Sequence, residues 1–173
     1  AALKGDEIWC QLFSEPAAGS DLAGVRTKAE PDDPRESNGG WKLNGQKLWT
    51  TWAQVSDYGV IIARNDPAVP KHKGLTFFWV DMHAPGVEVR PFRLAAGDSH
   101  VNEVFFDDVK MTDAQRLSPV GGGFGTAMAA LMIERYSASD HNGFGPPIEV
   151  LVDLARTAEI NGRPAIEDGR VRA

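Results

Sequence analysis

Up to Thr112 the chain is a succession of short segments of β-type composition, each closed by turn residues, and beyond it the apolar spacing becomes helical. The segments cover 8–13, 25–29, 41–43, 46–52, 58–63, 75–80, 87–92 and 103–106. No helical pattern separates one from the next, so a βαβ arrangement is excluded and an antiparallel barrel or sandwich is expected. In "WKLNGQKLWTT" the dipeptide Asn44-Gly45 lies between two alternating segments. It accepts the positive φ values of a two-residue turn and predicts a tight hairpin there. Past Thr112, "SPVGGGFGTAMAALMIERYSAS" opens on a glycine cluster and predicts a helix carrying Phe124, Met128, Leu131 and Met132 at helical spacing. A second helix is expected in "PPIEVLVDLARTAEI", with Pro146 and Pro147 suited to its first turn. The reading is mainly β: a domain over 1–112, then a hinge and the incomplete start of a helical domain over 113–173. The first residue is Ala1 and the polar end "EDGRVRA" follows a helical pattern that lacks a packing partner, so a piece of a longer protein is expected.

Composition narrows the function classes. With 42% hydrophobic residues the 173-residue chain has enough for a core, and 18 basic against 24 acidic residues leave a net charge of −6. That balance gives no electrostatic basis for nucleic-acid binding. No apolar run reaches the ~18 residues of a membrane helix, and no charged leader opens the chain, so neither membrane nor secretion is expected and the reading is cytoplasmic. Cys10 is the one cysteine, and His72, His83, His100 and His141 are scattered, so no metal site is expected and the thiol reads as structural. The glycines of 121–125 do not supply a dinucleotide fingerprint, because Thr126 stands where the G-x-G-x-x-G pattern needs its third glycine. They read as a flexible hinge.

The stretch "QLFSEPAAGSD", Gln11 to Asp21, runs an apolar segment into an open loop of small residues, hydroxyls and carboxylates. Such a loop leaves backbone N–H groups free and can hold a planar polar ring or a phosphate; it also fits a plain turn with capping hydroxyls. Five blocks decide between these readings: "QLFSEPAAGSDLAGVRTKAE", "LNGQKLWTT", "GLTFFWVDMHAPGVEVRPFR", "NEVFFDDVKM" and "GGGFGTAMAALMIER". In that order they resemble the middle domain and first C-terminal helix of the acyl-CoA dehydrogenase family. The resemblance covers nearly everything from Cys10 to about Arg135.

The resemblance implies an antiparallel β-barrel followed by the first helices of an α-helical bundle, in a flavoprotein that uses FAD to remove two hydrogens from an acyl-CoA thioester and passes electrons to an electron-transfer flavoprotein. It implies that Gln11, Phe13 and Ser14 run along one edge of the flavin, with backbone groups of Phe13 and Ser14 and the Ser14 hydroxyl bonding its polar atoms. The family's usual Thr is Ser here, which keeps the hydroxyl. Trp49, Thr50 and Thr51 match the family's Trp-Ile-Thr, in which the indole packs on the flavin and the last hydroxyl points at the ring nitrogen that receives hydride. Strand alternation puts Trp49 and Thr51 on one face and Thr50 on the other. Trp52 departs from the small or polar residue usual next. Ser20 resembles a residue that touches the CoA portion, and Arg135 is assigned to substrate binding.

In some family members the base that takes the α proton comes from the first C-terminal helix, in a sequence like Leu-x-x-Glu-Arg. Here "LMIER" supplies Leu131, Glu134 and Arg135. Helical spacing puts Ala127, Ala130, Leu131 and Glu134 on one face, and apolar walls there would raise the carboxyl's pKa toward a general base's range. Glu134 reads equally as a solvated glutamate, with the base further along. Alternatives to a dehydrogenase are a related flavin oxidase or monooxygenase and a non-catalytic barrel subunit of a heteromeric enzyme. The full-length protein is expected as a homo- or hetero-oligomer, a dimer or tetramer.

Overall fold

The structure is a computed structural model and describes residues 4–32, 39–139 and 147–172. Seven strands come first: β1 (Trp9–Leu12), β2 (Lys28–Pro31), β3 (Trp41–Thr51), β4 (Tyr58–Arg64), β5 (Leu75–Asp81), β6 (Val87–Phe92) and β7 (Val101–Met111). They make one sheet in the order β1-β4-β2-β3-β7-β6, with β5 paired to β4, curled into a half-barrel. Helix α1 (Gly123–Ser139) follows, then α2 (Ile148–Thr157), the short strands β8 (Glu159–Ile160) and β9 (Arg163–Pro164), and α3 (Gly169–Arg172). The chain forms two compact units, one through Ala130 and one from Leu131 onward.

The expected mainly-β architecture followed by helices is what the chain adopts. Most pairings are antiparallel, β4–β5, β3–β7 and β6–β7 being the long ones. Strand β1 instead runs parallel to β4, in register from Trp9 opposite Tyr58 to Leu12 opposite Ile61.

The hairpin expected at Asn44-Gly45 is not formed. β3 runs straight through the dipeptide, and β7 pairs with both halves, Leu43 opposite Val109 and Gly45 opposite Phe106. The register shift between those pairs is a β-bulge, and Gly45 holds φ at 149° within it. A Cβ on Gly45 would stand 2.7 Å from the Cα of Thr27, so the residue is glycine because β3 is approached closely here. Asn44 serves the bulge rather than a turn: its Nδ2 donates to Asp108 Oδ1 at 2.9 Å and its Oδ1 accepts from the Asp108 N–H at 2.8 Å.

The core inside the sheet gathers Leu12, Leu43, Ile61, Phe78, Val80, Val104 and Val109, all fully buried. Cys10 belongs to it, and burial pushes its thiol up to about 11, which makes it the structural thiol expected. Asp113, just past β7, is held down at about 2 by the Arg116 guanidinium and by the Trp41 indole N–H, which donates to it at 2.9 Å. The glycines before α1 do not act as the free hinge expected. A Cβ on Gly123 would lie 2.6 Å from the Thr76 carbonyl carbon and one on Gly121 would lie 2.5 Å from the Lys73 carbonyl oxygen, so they let the start of α1 sit against β5. Ala127 is buried on that helix and Phe124 meets the His72 ring edge-on at 4.7 Å. In the second unit Pro147 caps α2, whereas Pro146 lies outside the described residues. The β8–β9 turn uses positive φ at Asn161 and Gly162. No described helix is long and apolar enough to cross a membrane, and the described residues contain no group of three or more potential metal ligands.

Candidate active site

β1 ends at Leu12 and leaves Phe13 and Ser14 outside the ladder, while the backbone of Glu15 pairs with that of Ala18. One backbone–backbone hydrogen bond ties this loop to β3: the Leu48 N–H donates to the Ser14 carbonyl at 2.9 Å. It brings together the two blocks that the sequence singles out separately, Gln11–Ser14 and Trp49–Thr51. Phe13 is buried, with its ring edge-on to Phe77 at 5.7 Å, while Gln11 is exposed and Ser14 half-buried. The N–H groups of Phe13 and Ser14 and the Ser14 hydroxyl have no partner among the described residues.

On β3 a second bulge, between Lys47 and Thr50, shapes the other side. Trp49 sits in it with φ at 64°, the left-handed region that a bulky residue seldom occupies. As a result the indole stands out of the sheet, 56% exposed, against the edge of Phe92 at 5.1 Å. Thr50 points inward and is buried while Thr51 is exposed beside Trp49, as alternation requires. Thr50 Oγ1 and Asn102 Oδ1 are both buried without a hydrogen bond among the described residues, and Asn102 Nδ2 donates to the Thr50 carbonyl at 2.9 Å. Trp52 also holds a left-handed φ, 60°, and is exposed, with its ring 6.1 Å from that of His100.

The residues that sequence reasoning missed lie under this surface. Lys47 is fully buried, and its ammonium donates to Glu15 Oε1 at 2.8 Å, to the Ile62 carbonyl at 2.9 Å and to the Phe13 carbonyl at 3.1 Å. Glu15, also buried, accepts in addition from the N–H groups of Thr27 at 2.9 Å and Arg26 at 2.6 Å. Burial alone would push the Glu15 carboxyl up, yet the Lys47 charge and these hydrogen bonds together hold it below its ordinary range. Burial draws the Lys47 ammonium down to about 8 against the pull of Glu15. The available signal was a charged pair in "SEP" and "GQK", inside the recognised blocks; alternation from the buried Trp41 and Leu43 puts Lys47 on the inward face, and the bulge that follows is what turns Trp49 out.

Ser20 is exposed in the same loop region. Glu134 and Arg135 are exposed on α1, past Ala130 and so in the second unit. The structure therefore joins Phe13, Ser14, Trp49 and Thr51 into one surface within the first unit. That surface offers free N–H and hydroxyl groups beside an outstanding indole, a donor set suited to the polar edge and flat face of a conjugated ring.

Residues 10–109 match the model of the acyl-CoA dehydrogenase middle domain. The chain belongs to the acyl-CoA dehydrogenase family. It is 46% identical over 161 residues to the acyl-CoA dehydrogenase FadE34 of Mycobacterium tuberculosis, covering 93% of this chain and 22% of that protein. It is 39% identical over 170 residues to the acyl-CoA dehydrogenase IpdE1 of the same organism, covering 96% of this chain and 43% of that one. Among solved structures it is similar to the Tcur3481-Tcur3483 steroid acyl-CoA dehydrogenase, with a TM-score of 0.77 and 28% identity over 98% of this chain and 42% of that chain. The chain thus spans less than half the length of these relatives.

Proposed function

We propose that this chain forms the flavin-edge half of the active site in an FAD-dependent enzyme that removes hydrogen from the α and β carbons of an acyl-CoA thioester. The observation that carries the reading is the Leu48–Ser14 hydrogen bond, which sets the free donors of Phe13 and Ser14 beside Trp49 and Thr51. The FAD complex of PigA is a neighbour in fold, with a TM-score of 0.78 at 24% identity. FAD, when bound, supplies the acceptor for the hydride that leaves the β carbon.

The chain's own residues do the rest. The N–H groups of Phe13 and Ser14 and the Ser14 hydroxyl satisfy the polar edge of the ring, which a dry site requires, and they stabilise negative charge that develops there on reduction. Gln11, on the same strand end, borders that edge. The Trp49 indole would pack on the ring, and the Thr51 hydroxyl would supply it with a hydrogen bond. Thr50 acts from beneath, its buried side chain and its carbonyl bond to Asn102 setting the strand that carries its neighbours. Ser20 contacts the CoA portion and Arg135 the substrate, while Glu134 takes the α proton. The domain division proposed is a middle domain over 1–112 and the start of a helical domain over 113–173. The electron acceptor is an electron-transfer flavoprotein, the compartment is the cytoplasm, and the full-length protein is a dimer or tetramer. A steroid-type or other bulky acyl group suits the Tcur3481-Tcur3483 likeness.

The full-length protein carrying this segment is expected to purify yellow with FAD and to reduce an artificial acceptor when given an acyl-CoA. A colourless protein that takes up no FAD on titration refutes the reading and favours a non-catalytic barrel subunit. Within that protein Thr51→Val and Trp49→Ala separate two roles. Loss of the hydroxyl leaves a ring atom unsatisfied and costs about 1–3 kcal/mol, read in the rate of flavin reduction. Loss of the indole removes packing area and is read as weaker FAD retention. Near-zero effects of both on cofactor and rate mean that this strand does not face the flavin.

A further inference from the structure

Lys47 occupies a place where packing alone calls for leucine or methionine. It is fully buried in the middle of β3, within hydrogen-bond reach of the Ile62 carbonyl. What an apolar side chain would not supply is partners for backbone that the sheet leaves out. The Phe13 carbonyl lies past the end of β1, and the N–H groups of Arg26 and Thr27 lie before the start of β2, so none of the three has a ladder partner. The Lys47–Glu15 pair satisfies all three, and in doing so it uses every ammonium proton: Glu15, Phe13 and Ile62 each take one, at 2.8, 3.1 and 2.9 Å. The carboxylate completes the set with Arg26 and Thr27. Such a fully satisfied network holds a single geometry, because any displacement leaves a buried charge or amide unpaired.

The geometry so held is that of the candidate site. Lys47 grips the carbonyl of Phe13 from one side while the next residue of β3, Leu48, holds that of Ser14. The loop carbonyls are thereby consumed, and the two N–H groups remain available. On β3 the same lysine anchors the residues before the bulge, and Thr50, held through its carbonyl by Asn102, anchors those after it. Trp49 lies between these two anchors in its left-handed conformation, a strained state that persists only where its surroundings over-determine it.

We infer that the buried Lys47–Glu15 pair is a positioning device for the flavin, one that fixes the Phe13 and Ser14 donors and the Trp49 indole in a single arrangement. The inference rests on the flavin reading of the preceding section. Neither residue touches the cofactor; both act through the loop and the bulge.

The test is the double variant Lys47→Met/Glu15→Gln in the full-length protein, which removes both charges together. The apoprotein is expected to keep its melting behaviour within a few degrees. Its dissociation constant for FAD rises at least tenfold, the visible circular dichroism of the bound flavin changes, and flavin reduction at saturating FAD slows at least tenfold. A purely structural pair would leave the flavin spectrum and the rate at saturating FAD unmoved. A double variant whose FAD affinity, flavin spectrum and reduction rate all stay within twofold of wild type overturns the inference. If the double variant does not fold, Glu15→Asp alone decides by the same two outcomes, since it keeps a carboxylate opposite Lys47 and shortens only its reach. A wild-type protein that binds FAD beside unchanged variants sinks this inference and spares the flavin reading, whereas a wild-type protein that takes up no FAD overturns both.

Discussion

Glu134→Gln in the full-length enzyme leaves FAD and acyl-CoA binding in place and slows flavin reduction by well over the ~100-fold typical of losing a general base. The expectation stands on the pair Glu134-Arg135 in the block "LMIER" and on helical spacing, which repeats Ala127, Ala130 and Glu134 along α1. Glu134 is exposed among the described residues, so the apolar surroundings that shield a general base from water must come from substrate or from elsewhere in the protein. The carboxamide keeps the size and loses the capacity to take a proton. A stopped-flow trace in which the variant bleaches the flavin at near wild-type rate removes Glu134 from the mechanism and moves the search for the base outside this segment.

Lys47→Met alone destabilises the protein by about 3–5 kcal/mol, the range for stranding one member of a buried ion pair. The Glu15 carboxylate would then stand buried with two amide donors and no cation, and the carbonyls of Phe13 and Ile62 would lose their donor as well. Glu15→Gln added to it recovers at least half of the loss, since no charge is left to desolvate and the carboxamide can still accept from Thr27. Urea unfolding of the wild type and both variants reads the difference directly. A single variant within about 1 kcal/mol of wild type would mean that water reaches Glu15.

The strands were largely legible because alternation and turn residues report a half-buried ribbon. β6 falls on 87–92 as the composition predicts, and β4 and β5 extend one residue past the expected ends. Asn44-Gly45 misled for a definite reason. The positive φ that marks a hairpin turn also marks a bulge, and what separates the two is the distant partner: here β7, whose Val109 and Phe106 flank the dipeptide from across the sheet. No local window contains that information. The same holds for Gly123, whose need for a bare Cα comes from the Thr76 backbone. The candidate site was legible where chemistry is carried by residue type, at Ser14, Trp49 and Thr51. It was hidden where chemistry is carried by burial, at Glu15, Lys47 and Asn102.

β3 finds its long partner only in β7, so the hydrogen-bonding edge of Trp41–Thr51 stays open until the chain through Met111 exists. On a ribosome adding roughly 5–20 residues per second, that interval lasts several seconds. Strands β4 and β5 are close neighbours in sequence and can zip early, and β1 can join β4 soon after. β2 can cover one edge of β3 over Trp41–Asn44, but the other edge waits unpaired for a segment still being made. A nascent chain of this kind offers an extended apolar ribbon to any holdase at the tunnel exit, and an arrest of synthesis between Thr51 and Val101 leaves it with an edge that another copy can pair with.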